Sequence, residues 1–233
     1  MKSADLNSEA STELKNLYRK DYVEKFSKSQ SSYRLSRLLK YIQLAPNFHV
    51  VDFACGNGML LPYVAPKVTS YVGVDFSEEF IKDAEKRRIQ MGIKNAEFFC
   101  DDINNFCEKH LDSFHCAFAM DFSEHVHDDN WLQILRSIRR TLKREGRLYI
   151  HTPNSLFFIE QMKEHSIILN QFEEHIVVRS PKQNVDLLKC AGYTIKRVLL
   201  LPHYNLLRFI HFISYTPFVG KYFTARIFIE ATL

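Results

Sequence analysis

Long apolar runs are missing from this sequence of 233 residues, and so is any closely spaced cysteine pair. No uncharged stretch approaches the ~20 residues that cross a bilayer, and the start MKSADLNSEAST lacks the apolar centre of a signal peptide. The five cysteines form no C-x-x-C pair, which argues against a disulfide framework and against a cysteine zinc site. We therefore expect a soluble, cytoplasmic protein with reduced, mostly buried cysteines.

A large excess of one charge is also missing. The sequence carries 31 basic and 27 acidic residues, intermixed, for a formal net charge of +4. Short basic clusters such as Lys86, Arg87 and Arg88 are typical of a solvated helix face, so no nucleic-acid partner is expected. With neither an internal repeat nor a low-complexity linker, a chain of this length and 46% hydrophobic content favours one domain.

Short apolar segments alternate with helical ones from residue 46 onwards. The helical segments include one stopped by Pro66, one that opens at Ser77 and closes at Gly92, and two around residues 131–142 and 181–190. This βαβ alternation predicts a parallel, doubly wound α/β sheet. The predicted strands are residues 49–53, 70–75, 96–100, 115–120, 147–151, 194–200 and 225–231.

Two further segments complete the predicted domain organisation. Residues 1–45 contain apolar positions at helical spacing and predict an N-terminal helical cap ahead of the main domain, residues 46–233. An aromatic-rich insertion at about residues 202–223 predicts a lid over a substrate cavity, with ordinary core packing as the alternative. As a lid it would suit an aromatic or lipid-like acceptor, and it leaves open a peripheral membrane contact.

The turn after the first predicted strand, VVDFACGNG, places an aspartate before a loop with two glycines. A dinucleotide would also fit such a turn, but Leu61 stands where that fingerprint requires a small residue, and Asp52 would repel a pyrophosphate. A carboxylate instead favours S-adenosylmethionine (SAM), whose ammonium and sulfonium groups are positive. Asp75 ends the second strand, where a carboxylate can accept hydrogen bonds from ribose hydroxyls.

These motifs resemble those of the class I SAM-dependent methyltransferases. The usual pattern V-L-D-x-G-C-G-x-G matches residues 50–58, with Ala54 in place of the first glycine. The resemblance continues, in order, through VGVDFS, FFCDDI, FHCAFAMDFSEHV, LKREGRLYIHTPN and LLKCAGY. It implies a Rossmann-like sheet of seven strands, doubly wound and mostly parallel, with an antiparallel last strand.

The resemblance also implies roles for individual residues in cofactor binding. Asp75 would clamp the ribose and Asp102 would accept a hydrogen bond from the adenine amino group, with Asp101 as its competitor. Taken singly, each carboxylate could instead cap a helix or form a turn, whereas the ordered set favours a cofactor site. The candidates are Asp52, Ala54, Gly56, Gly58, Asp75, Phe76, Asp102, Ile103 and Met120.

The segment after the fourth strand, MDFSEHVHDD, gathers ionisable residues at the predicted ligand-binding edge. If it turns helically, Asp121, Glu124 and His125 share a face and would suit a divalent Mg, Mn, Fe or Zn ion. The spacing resembles the E-x-x-E-H motif of small-RNA 2′-O-methyltransferases and ubiquinone-pathway O-methyltransferases, with His175 as the candidate further ligand. The alternative is a metal-free site in which His125, with Glu124, or His151 serves as the base.

The resulting expectation is a SAM-dependent methyltransferase for a small-molecule or lipid-like acceptor. The carboxylate-histidine cluster favours O-methylation, with N-methylation as the alternative in the same class. A non-catalytic SAM-binding partner subunit is the alternative from another class, although such a module need not keep the complete cofactor set.

Overall fold

The computed structural model describes Leu35 and residues 38–164, 176–202 and 212–233. Most of the predicted N-terminal cap, His175 and residues 203–211 of the predicted lid lie outside these ranges. Among the described residues, none of the helices combines the length and apolar character that a membrane span requires.

The described residues contain one sheet of seven strands, as expected. The strands are β1 (His49–Phe53), β2 (Ser70–Asp75), β3 (Ala96–Cys100), β4 (Phe114–Met120), β5 (Leu142–Pro153), β6 (Thr194–Leu201) and β7 (Arg226–Thr232). Their order across the sheet is β3-β2-β1-β4-β5-β7-β6. Strands β1 to β5 are parallel, and β7 runs antiparallel to both β5 and β6. The doubly wound, mostly parallel sheet with an antiparallel last strand is confirmed.

Six α-helices connect these strands. They are α1 (Leu61–Val64), α2 (Glu78–Gln90), α3 (Ile103–Lys109), α4 (Asp128–Thr141), α5 (Phe158–Glu164) and α6 (Pro181–Cys190), counted over the described ranges. Helix α2 begins as predicted, because the Ser77 side chain accepts the Phe80 N–H at 3.4 Å. It ends before Gly92, whose φ of 65° favours glycine.

The largest differences from the predicted boundaries are at the starts of β5 and α4; the other strand ends differ by two residues or fewer. Strand β5 begins at Leu142 because this residue pairs with Phe114, and the register shifts before the pairing resumes between Cys116 and Arg147. Helix α4 begins at Asp128 and not near the predicted residue 131. Two aspartates in its first turn stabilise this start, because their negative charges face the positive end of the helix dipole.

Apolar side chains form a separate buried cluster on each side of the sheet. Because strand residues alternate between faces, Val51 and Phe53 of β1 pack with α3 and α4, whereas Val50 packs on the opposite side. The fully buried Trp131 holds α4 against the first side. Both faces of the parallel part are thus covered, as a parallel sheet requires.

The strand order determines where a ligand can bind. From β1 the chain moves outward to β2 and β3, and then crosses to β4 on the other side of β1. The loops that follow β1 and β4 therefore leave their strands in opposite directions at the same edge of the sheet. In open α/β sheets this topological switch point is where ligands bind, outside the carboxyl ends of the strands.

Candidate functional site

The loop after β1 bends sharply because three of its residues adopt left-handed backbone conformations. Ala54, Gly56 and Gly58 have φ angles of 53°, 51° and 71°. At Gly58, a Cβ atom would lie 3.2 Å from the Phe98 ring and 3.3 Å from Cβ of Ala84. Position 58 therefore needs glycine for both conformation and space. Ala54 adopts a conformation that favours the glycine usual at this point of the motif.

Asp75 connects this loop to the end of β2. It is buried, and its Oδ2 accepts the Gly56 N–H at 3.0 Å while Oδ1 accepts the Ser77 N–H at 2.9 Å. Burial raises the pKa of this carboxyl group to about 6, although the hydrogen bonds act to lower it. The structure thus brings together two residues predicted to bind the cofactor, Asp75 and Gly56.

Asp52 lies beneath the same loop. Its Oδ2 accepts the Tyr71 hydroxyl at 2.6 Å, and both residues are buried. Burial raises the pKa of Asp52 to about 7, the Tyr71 hydrogen bond opposes the rise, and the charge of Asp75 adds to it. Asp52 therefore takes up a proton closer to neutral pH than an exposed aspartate does. A cationic group bound beside the loop would favour its ionised form, whereas a pyrophosphate would not.

The other cofactor candidates lie along the same edge. Phe76 and Met120, next to the ends of β2 and β4, are half-buried, and Ile103 at the start of α3 is buried. Asp102 is exposed, and its Oδ1 accepts two N–H groups in the first turn of α3, at 2.8 and 3.3 Å. Asp102 thus caps a helix, which was the alternative role for a single carboxylate.

Asp101, the competitor of Asp102, is held by two local contacts. Its Oδ2 lies 2.9 Å from Nζ of Lys109, and its Oδ1 accepts the Asp102 N–H at 2.9 Å. The hydrogen bond from Lys109 lowers the pKa of Asp101. Because both Asp101 oxygens are engaged and the cap uses only Oδ1 of Asp102, the geometry favours Asp102 as the acceptor for a ligand.

The loop after β4 begins with a contact between two predicted site residues. Asp121 has a left-handed φ of 52°, and its Oδ1 lies 2.8 Å from Nδ1 of the fully buried His151. The Asp121 N–H also donates to the His151 carbonyl at 2.7 Å. Arg226 approaches the same Oδ1 at 3.8 Å. A carboxylate and an imidazole are therefore paired at the carboxyl ends of β4 and β5.

Glu124 and His125 follow in a short 3-10 turn, Ser123–His125. Glu124 is buried, and its Oε2 accepts the Thr152 hydroxyl at 3.1 Å, which in turn accepts the Ser123 hydroxyl at 2.9 Å. Burial and the nearby Asp121 raise the pKa of Glu124. His125 itself is half-buried.

The predicted shared helical face is not formed in this loop. Asp121 is left-handed and the 3-10 turn starts only at Ser123, so the i, i+3 and i+4 positions do not lie on one continuous helix. Within the described ranges, no three His, Cys, Asp or Glu side chains are grouped so that they could hold a metal ion. His175, the candidate further ligand, lies outside those ranges.

Arg179 holds the same loop and was missed by the sequence analysis. It is buried, and its guanidinium group donates to the Ser123 carbonyl at 2.5 Å, to the Val126 carbonyl at 2.7 Å and to Asp128 at 2.8 Å. These contacts lie on both sides of Glu124 and His125. The available signal was a single charged residue in the otherwise apolar segment IVVR, residues 176–179.

Comparisons with known proteins agree with this geometry. A family model described as a methyltransferase domain matches residues 50–146. The ubiquinone biosynthesis O-methyltransferase of Coxiella burnetii is 30% identical over 122 residues, covering 51% of this chain and 50% of that relative. The chain thus spans about half the length of the curated relatives it matches.

Solved structures match over a larger part of the chain. The magnesium protoporphyrin IX methyltransferase from Synechocystis PCC 6803, solved with bound SAH, has a TM-score of 0.71 at 13% identity, covering 95% of this chain and 99% of that one. The [4+2]-cyclase SpnF has a TM-score of 0.65 at 16% identity, covering 86% and 80%. Since a cyclase is among these neighbours, the likeness shows the fold and leaves the reaction to the site.

Proposed function

We propose that this chain, whose residues 50–146 match a methyltransferase-domain family, transfers the methyl group of SAM to a small-molecule or lipid-like acceptor by O-methylation. The observation that carries the proposal is the contact of the buried Asp75 carboxylate with Gly56 of the glycine loop, above Asp52. Two carboxylates beneath a glycine loop suit a cationic nucleoside and disfavour a pyrophosphate. Titration calorimetry without any heat of SAM binding would refute the proposal.

The residues of the edge can be assigned to parts of SAM. Asp75 would accept hydrogen bonds from the ribose hydroxyls, and Asp102 from the adenine amino group, while Phe76 and Ile103 would border the adenine. Asp52 would stabilise the positive methionine end of SAM, and Met120 would lie near it. Ala54, Gly56 and Gly58 would let the backbone approach the cofactor closely.

The binding of SAM is expected to weaken in acid. Asp52 and Asp75 have pKa values raised to about 7 and about 6, so both gain protons as the pH falls through that range. A cation binds more tightly to the ionised form, so the Kd of SAM should rise by up to roughly tenfold per pH unit for each linked group. Calorimetric titrations from about pH 8 to about pH 5.5 measure this dependence.

Two controls separate the contributions to this pH dependence. S-adenosylhomocysteine lacks the sulfonium charge and should show a flatter profile than SAM. Asp52→Asn should remove the part of the profile nearest neutral pH. A Kd for SAM that stays constant over the whole range would contradict the proposed role of Asp52.

For the base that receives the acceptor proton, the geometry favours His151. Methyl transfer from a sulfonium is an in-line displacement, so the protein must align the acceptor and take up the proton of its hydroxyl. With Nδ1–H donating to Asp121, His151 carries its basic lone pair on Nε2. Because the imidazole is fully buried, the acceptor must be enclosed beside it in order to pass its proton to Nε2.

Substitutions at the two histidines are expected to differ in effect. His151→Gln should lower kcat by about 10²- to 10⁴-fold, the usual contribution of a positioned general base, while the Kd of SAM stays the same. Asp121→Asn should cause a smaller loss, and His125→Gln the smallest. Steady-state rates measured by mass spectrometry of the methylated product test this order.

EDTA distinguishes the metal-dependent alternative. If a divalent ion bound by Asp121, Glu124, His125 and His175 activates the acceptor, the chelator should abolish turnover without displacing SAM. His125→Gln would then be as damaging as His151→Gln. A rate unchanged by EDTA, together with the order above, would support His151 as a metal-free base.

A further inference from the structure

Residues 212–222, here called the aromatic patch, display five large apolar side chains ahead of β7. The exposed fractions are 68% for Phe212, 77% for Tyr215, 92% for Phe218, 49% for Val219 and 37% for Tyr222. Isolated exposed apolar residues are ordinary on a protein surface, but a contiguous group indicates an interaction site.

The backbone of the aromatic patch is tightly folded. Gly220 donates its N–H to the Thr216 carbonyl at 3.0 Å, and a Cβ atom at Gly220 would lie near the Ser214 carbonyl oxygen. Phe218 has a left-handed φ of 64°, which costs a non-glycine residue on the order of 1 kcal/mol. Since Phe218 is almost fully exposed, burial within its own chain offers little to offset that cost.

Contacts around Asn154 fix the aromatic patch beside the proposed acceptor site. Asn154 directly follows β5, and its side-chain amide donates to the Lys221 carbonyl at 3.5 Å and to the Thr224 carbonyl at 2.8 Å. The rings of Phe158 and Phe223 pack with centroids 5.1 Å apart. His151 lies on the same strand end as Asn154, so the patch borders the edge where we place methyl transfer.

The sequence around the aromatic patch carries basic residues but no acidic ones, although in the structure Arg197 pairs with Glu230 and Arg226 lies 3.8 Å from Asp121. Residues 187–229 contain no aspartate or glutamate, and Nζ of Lys221 lies 5.0 Å from the Tyr222 ring centroid. Aromatic side chains mixed with cations are typical of segments at the membrane-water interface, where anionic headgroups attract the cations. The basic residues of this stretch are Lys189, Lys196, Arg197, Arg208, Lys221 and Arg226.

We propose that the aromatic patch inserts into the headgroup region of an anionic membrane, so that an apolar acceptor reaches the active-site edge directly from the lipid. The inference rests on the proposed function, which supplies the apolar acceptor, and it adds a surface that binds the membrane. Phe218 and Tyr215 enter the interface, and Lys221 contacts anionic headgroups.

Vesicle flotation with the full chain tests the proposal. We expect the protein to float with phosphatidylcholine vesicles that contain phosphatidylglycerol, and more weakly with phosphatidylcholine alone or at high salt. The double variant Tyr215→Ser/Phe218→Ser should lower the partition coefficient at least roughly tenfold, and Lys221→Glu should remove the preference for phosphatidylglycerol. The matched control is Ile89→Ser, because Ile89 is also 68% exposed but lies on α2.

Three outcomes would overturn the proposal. The first is that the native chain floats with neither kind of vesicle. The second is that Ile89→Ser lowers the partition coefficient as much as the double variant does. The third is that sedimentation velocity shows a dimer that the double variant abolishes, while no vesicle binding is seen. The last result would assign the patch to a second copy of the chain. Calorimetry with SAM separates the two proposals, because SAM affinity should be the same in the double variant and in the native chain.

Discussion

Replacing Asp75 with alanine is expected to weaken SAM binding by about 1.5 to 3 kcal/mol, or roughly 10- to 150-fold in Kd. The loss has two physical sources. The ribose hydroxyls would lose a charged acceptor, and the buried Gly56 N–H, which donates to Asp75 at 3.0 Å, would lose its partner. Because Gly56 belongs to the loop that approaches the cofactor, the second loss also perturbs the site itself. Calorimetric titration with SAM measures the effect.

Asp101→Ala is the matched control for this substitution. Asp101 also follows the end of a parallel strand, but its partly exposed carboxylate pairs with Lys109. Exposed ion pairs contribute only about 0 to 1 kcal/mol, so the change should leave the Kd of SAM nearly unchanged. Equal losses in both variants, or none in Asp75→Ala, would mean that Asp75 is not the ribose clamp.

Arg179→Met is expected to reduce the free energy of unfolding by about 3 kcal/mol and to impair turnover more than SAM binding. Removal of the guanidinium group leaves the Ser123 and Val126 carbonyls without this donor. The loop that carries Glu124 and His125 would then lose its support, while the loop after β1 is untouched. Urea unfolding measures the change in stability. The change in kcat, compared with the change in the Kd of SAM, shows whether turnover is impaired more than binding.

Arg139→Met supplies the comparison for Arg179. The exposed Arg139 also donates through Nε to a carbonyl, that of Gly192, at 3.1 Å. A surface substitution of this kind usually changes stability by no more than about 0.5 kcal/mol. Arg179→Lys should be intermediate, because an ammonium group keeps the charge but cannot reproduce the planar fork of donors. If both methionine variants behave alike, Arg179 does not position the loop.

Much of the fold was predictable because its signals are local. The bounds of β1, β2 and β3 agree with the predicted ones, since short apolar strands stand between clear turn and cap residues. Ser77 and Gly92 marked the ends of α2 for the same reason. The start of β5 was not predictable, because Leu142 joins the strand through its pairing with Phe114 in β4.

The candidate site likewise has parts that the sequence predicts and parts that it does not. The sequence by itself determined the family resemblance, the glycine loop and the position of Asp75, because these belong to compact motifs at strand ends. Only the tertiary structure decided that Asp121 meets His151, 30 residues away, and that Arg179 reaches Ser123, 56 residues away. It also decided that Asp121, Glu124 and His125 do not share a helical face, through the left-handed backbone of Asp121. Such contacts depend on strand register and loop conformation, which the packing of the whole sheet sets and no local pattern specifies.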